Sequence, residues 1–289
     1  MNMRRIQHPG PPSPQAVTAI PCQSDSFLTT LNPGLSLLDA ISEVIESRGI
    51  KSGVLRLAGG TLDQFCYYMP ALSTDSRYSV YFSSRYDVKG TVQIESASVT
   101  FGQKDGQPWL HCHAIWVEPD GSRRCGHLIP DINFVTSPIQ AEVTTLDGAG
   151  FIVSPDVETN FSLFVPSATN RINEAVHSTS RCFAVRLAPN IDVCESLESL
   201  CSDLDLGNAE ILGGVGSTVG AVFDDGQVVE PFVTEVLIRS GKINHTQADG
   251  YRADIDVSLV DYKGGLSEGK YKRGQNPVLV TFELVIRQI

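Results

Sequence analysis

The sequence lacks any apolar run long enough to cross a bilayer as a helix, which takes about twenty residues. Its opening stretch, "MNMRRIQHPGPPSPQ", has two arginines but no apolar segment behind them, so it does not read as a secretory signal. The cysteines lack a disulfide framework: there are seven, an odd number, at irregular spacing. That usage points to a reducing compartment, and cytoplasm is the expectation. Positive charge is scarce, with 22 Lys and Arg against 33 Asp and Glu and a net charge of −11. A surface of that sign repels phosphate backbones, and "YKRG" and "SRRCG" are too small to act as basic patches. The one Gly-x-Ser-x-Gly match, "GLSEG" (265–269), is not followed by a helix pattern, so it lacks the strand-turn-helix context of a nucleophile elbow.

What remains is a globular composition, 42% hydrophobic, over 289 residues, a length that suggests two domains. Two stretches repeat one plan: "LNPGLSLLDAISEVIESRG" (31–49) and "LAPNIDVCESLESLCSDLD" (187–205). In the first, Ser36 and Asp39 occupy capping positions and Gly49 sits beyond the C-terminus. Leu37, Leu38, Ile41, Val44 and Ile45 form one helical stripe between them. In the second, Asp192 and Glu195 take the capping positions ahead of Val193, Leu197, Leu200 and Leu204.

Alternating strand patterns follow each helix, among them "TVQIESASVTF", "FVTEVLIRSG" and "PVLVTFELVI". The expectation is an α+β protein of two similar domains, each an antiparallel β-sheet flanked by a helix. Its divisions are a disordered tail (1–24), a first domain (25–153), a linker (154–178) and a second domain (179–289). The glycine cluster "LGGVGSTVG" precedes a strand pattern rather than a helix N-terminus, so it lacks the context of a phosphate loop. It reads as a strand whose glycines permit close packing.

Chemistry concentrates in "WLHCHAIWVEPDGSRRCGHLIP" (109–130), with three of the six histidines. His111 and His113 are two apart in a strand-like run and share a face. Pro119-Asp120-Gly121 suits a three-residue hairpin loop with its glycine in the left-handed conformation. That loop places His127 opposite His113. A two-residue Asp-Gly loop would send His127 to the other face. Three converging imidazoles suit Zn²⁺, with a fourth position left to water or another ligand. Cys125 is on the same face and is a weaker fourth candidate, while Glu118 and Asp120 lie at the turn and read as solvated.

These residues carry a family resemblance. The run from the first helix through "RGIKSGVLRLAGG" to the histidine hairpin resembles the plants-and-prokaryotes-conserved (PPC) domain. Its pattern is a Gly-rich strand, then His-x-His, an Asp-Gly turn and Gly-His-Leu. The second half resembles the same domain with more drift, in "EPFVTEVLIRSG". The resemblance implies a tandem two-copy form, a tendency to trimerise, and zinc on His111, His113 and His127. The family is often labelled DNA-binding, but the Arg-Gly-Arg-Pro hook that serves this in plants is absent here.

In "ADIDVSLVDYKGGLSEGKYK" the three histidines become Asp254, Asp256 and Lys270, while the turn glycine is retained as Gly264. The expectation there is an ion pair between Asp256 and Lys270 in place of a metal. Function is thus expected to be that of a metal-binding oligomer with a binding or regulatory role and room for a small-molecule ligand at the metal. The alternative is a metal-dependent enzyme on a small molecule, and direct DNA binding is disfavoured by charge.

Overall fold

The computed structural model describes residues 4–170 and 181–289. The first half runs β1 (Val17–Leu31), α1 (Leu37–Glu46), β2 (Gly53–Ala58), β3 (Val92–Lys104), β4 (Gln107–Val117), β5 (Arg123–Leu128) and β6 (Ile139–Asp147). The second half runs β7 (Cys182–Leu187), α2 (Val193–Asp203), β8 (Ala209–Val222), β9 (Val228–Thr246), β10 (Gly250–Asp261), β11 (Leu266–Lys270) and β12 (Val278–Gln288). Short strands and the hairpin Ala149–Pro155/Ser162–Ala168 fill the connections.

The two ladders have one order. In the first half β1 pairs with β6, β6 with β2, β2 with β3, β3 with β4 and β4 with β5, all antiparallel. In the second, β7 pairs with β12, then β8, β9, β10 and β11 follow, also antiparallel. Each half is an antiparallel sheet with one helix, the expected α+β class.

Local chemistry explains the helices. The Ser36 hydroxyl accepts from the Asp39 amide, and the Asp192 carboxylate accepts from the Glu195 amide, each satisfying an amide the helix start leaves free. The apolar stripes then bury Leu37, Ile41 and Ile45 in one core and Val193, Leu197 and Cys201 in the other.

The halves lie face to face. A third cluster takes Val54, Leu146 and Phe151 from the first half with Ala184, Leu212 and Val285 from the second. Ser98 Oγ donates to the Gly214 carbonyl (2.9 Å), and Arg56 donates to that of Ile211 (2.7 Å). The glycine cluster is in β8, as its reading as a strand required. A Cβ on Gly213 would lie 3.0 Å from Val54 Cβ, so a bare backbone here lets the halves approach.

Two expected divisions differ. The segment 1–24, expected to be a disordered tail, is ordered over the described residues 4–24. Arg4 donates to the carbonyls of Val229 (2.9 Å) and Ala221 (3.0 Å), and His8 Nε2 contacts that of Leu279 (2.7 Å). Val17–Cys22 pairs with β7, and Gln23–Leu31 with β6, so one strand joins both ladders. Pro21 is tolerated because this part of the strand pairs on one side only. The expected linker, 154–178, is structured as far as Ala168, because its first residues form a hairpin. There Asp156 and Arg186 make a buried ion pair at 2.7 Å. Residues 171–178 of that linker, and 179–180 of the expected second domain, lie outside the described residues.

Candidate metal centre

The hairpin forms in the three-residue register. Gly121 has φ +85°, its amide donates to the Glu118 carbonyl, and the Glu118 amide donates to that of Ser122. His113 pairs with His127 across β4 and β5, and His111 follows on the same face.

The rings converge. His111 Nε2 is 3.1 Å from His113 Nε2, and His127 Nδ1 is 3.3 Å from His113 Nε2. One ligand atom from each lies within 4.8 Å of the others, a group that could hold a metal ion. His113 is buried and the other two are partly buried.

The far side of the site comes from the second half. His113 Nδ1 donates to the Val236 carbonyl (2.8 Å), an atom that can only accept. His111 Nδ1 contacts Glu283 Oε2 (3.0 Å). Both bonds put the ring proton on Nδ1 and leave a lone pair on Nε2. Two bare Nε2 atoms 3.1 Å apart repel unless a cation or proton lies between them. Outer nitrogens fixed by a carboxylate and a carbonyl, with inner lone pairs converging, are the donor set of a zinc-type site. The residues present therefore fit a divalent ion.

Electrostatics agree. Burial pushes the His113 imidazole well below its usual pKa, helped by His111 and His127 and opposed by the bond to Val236. Burial, then His111, does the same to His127. Both rings are thus held in the neutral form that ligates metals.

Cys125 packs with Ile115, Leu237 and Val260, outside the three-histidine group, and burial raises its thiol pKa strongly. Asp120 stays exposed as expected, accepting from the Ser122 amide, whereas Glu118, also expected to be solvated, is partly buried because its carboxylate accepts from Trp116 Nε1 at 3.4 Å. The sequence reading missed Glu235 and Glu283. Both are buried carboxylates on strands of the second half, and both approach the histidines. Each is more than a hundred residues away in the chain, and the signal available was a lone acidic residue inside an apolar strand pattern.

In the second half the hairpin keeps its register, with Gly264 at φ +85° and Asp256 opposite Lys270. The expected ion pair forms differently. Lys270 Nζ reaches Asp254 (2.8 Å), and Asp256 pairs with Arg239 (3.0 Å). Arg239, on the neighbouring strand, competes successfully for Asp256.

Fold and site together define a two-sheet α+β protein with a histidine centre walled in by its own second half. Residues 22–147 match the family described as the Plants and Prokaryotes Conserved (PCC) domain, the PPC domain of the sequence reading. No curated protein matches the chain. Among solved structures, a PPC protein of Pyrococcus horikoshii is 18% identical, covering 51% of this chain and 96% of its own, with a TM-score of 0.41. A metal-containing protein of Archaeoglobus fulgidus is 21% identical, covering 49% and 93%, with a TM-score of 0.39. A candidate DNA-binding protein of Bacteroides thetaiotaomicron is 12% identical, covering 50% and 96%, with a TM-score of 0.38.

Proposed function

We propose that the chain is a tandem PCC-domain protein that binds one divalent ion, zinc by preference, through His111, His113 and His127. It acts by binding or assembly. The observation that carries this reading is the convergence of three ring nitrogens, two of them with outer nitrogens already held by Glu283 and Val236. Two drifted copies with one strand order support the tandem reading, and the second has exchanged its ligands for Asp254, Asp256 and Lys270. Self-association, with a trimer favoured, belongs to this reading through the family resemblance. Duplex DNA does not, because net charge is −11 and the short basic runs "YKRG" and "SRRCG" are too small to offset it.

Titration of zinc into chelator-stripped protein tests the proposal. The expected stoichiometry is about one per chain, from a single three-histidine set. His113→Ala should lose that uptake. Absence of saturable uptake, or uptake unchanged in the variant, would overturn it.

A further inference from the structure

One buried carboxyl beside the histidines has an oxygen with no hydrogen-bond partner among the described residues. The Glu235 side chain is about nine-tenths buried, and its Oε2, 3.8 Å from His113 Nε2, makes no hydrogen bond among the described residues. A buried polar atom left unpaired is costly and uncommon in folded proteins, so this one marks a place built to be completed.

Glu235, His111 and His113 line a pocket of about 70 Å³ that opens to solvent on one side. Much of the rest of its lining is apolar or aromatic: Val80, Phe82, Phe161 and Leu163 from the first half, Val233 and Leu279 from the second. Water would satisfy the polar end and gain nothing along those walls. The occupant that suits both has an apolar body and a polar head of defined chemistry.

That head must offer hydrogen-bonding capacity to Glu235 and a lone pair toward the histidine centre. A hydroxyl does both, since it can donate to a carboxylate and can also accept from a carboxylic acid. A carboxylate would bring a further charge into a buried site that already holds two acidic side chains, Glu235 and Glu283, and a hydrocarbon offers Oε2 no hydrogen bond. We infer that this pocket binds the hydroxyl end of a small neutral alcohol or phenol, whose body extends from the pocket along its open, apolar side. The inference rests on the proposed metal centre only for the oxygen's second partner. Its first partner is Glu235.

The test uses the full chain, with metal content fixed beforehand by elemental analysis. Benzyl alcohol, benzoate and toluene are titrated separately, and saturable binding is read by ligand-observed NMR. Benzyl alcohol should bind at least about tenfold more tightly than either of the others, the order of magnitude for a well-placed polar group in a buried site. Glu235→Ala should erase that preference. Val80→Phe should block binding while leaving metal content unchanged.

Equal binding of all three probes, tighter binding of benzoate, or no saturable binding of the alcohol would overturn the inference. So would loss of metal in Glu235→Ala together with no alcohol binding to the parent chain, because Glu235 would then be a ligand of the ion. If the chain proves to hold no metal, the metal reading fails by itself. The same titration on metal-free protein then decides the pocket: an alcohol preference that depends on Glu235 supports it, and its absence refutes it.

Discussion

Glu283 Oε2 lies 3.0 Å from His111 Nδ1, so a carboxylate on the last strand of the chain orients a histidine in its first half. The two residues are 172 positions apart, and the carboxylate is almost fully buried. The first half supplies the histidines, and the second holds two of them in place.

Glu283 should therefore govern metal affinity without touching the ion. Removing the partner of a ligating histidine typically weakens metal binding about 10–100-fold. Glu283→Ala should show a loss of that size in competition with a chromophoric chelator, and Glu283→Gln, which still presents an acceptor oxygen, should recover part of it. Equal affinity in all three proteins would mean that the contact does not position His111.

Acid should destabilise the metal-free chain through His113 and His127. Their pKa values are lowered by burial in the folded state, whereas an unfolded imidazole titrates near 6.5. Below about pH 6.5 the unfolded chain binds more protons than the folded one, so the stability contributed by the neutral rings is complete above that pH. It is lost as pH falls toward the folded values. Thermal unfolding followed by circular dichroism should give a midpoint that falls from about pH 6.5 downward, and less steeply in His113→Gln. An identical pH dependence in the variant would remove His113 from this account.

Gly214 should not accept a side chain. A Cβ there would lie 2.5 Å from the Glu283 carbonyl oxygen and 2.6 Å from Leu284 Cβ, so β12 would have to move. Overpacking of this kind costs about 1–3 kcal/mol. Gly214→Ala should lose stability of that order in urea and, by shifting Glu283, should weaken metal binding as well. A neutral effect on both would show that the strand is free to yield.

The sequence made legible what local chemistry decides. Ser36 and Asp192 cap their helices, and Pro119-Asp120-Gly121 sets the register that brings His113 opposite His127. The rest depends on which faces of two sheets meet. Nothing near Glu235 or Glu283 in the chain announces a histidine partner, because the contact exists only after the halves pack. Strand β1 was hidden for a related reason: its first six residues pair with one ladder and the rest with another. In the second half the register was legible but the partner of Lys270 was not, because long side chains choose among several carboxylates within reach.

The central claim is that one ion sits among His111, His113 and His127. Crystals grown with zinc, with anomalous diffraction recorded on both sides of the zinc edge, test it most directly. The account predicts one strong peak per chain, about 2.0–2.1 Å from His111 Nε2, His113 Nε2 and His127 Nδ1. Full-occupancy zinc elsewhere, with the three rings still in mutual contact and no peak between them, would contradict it.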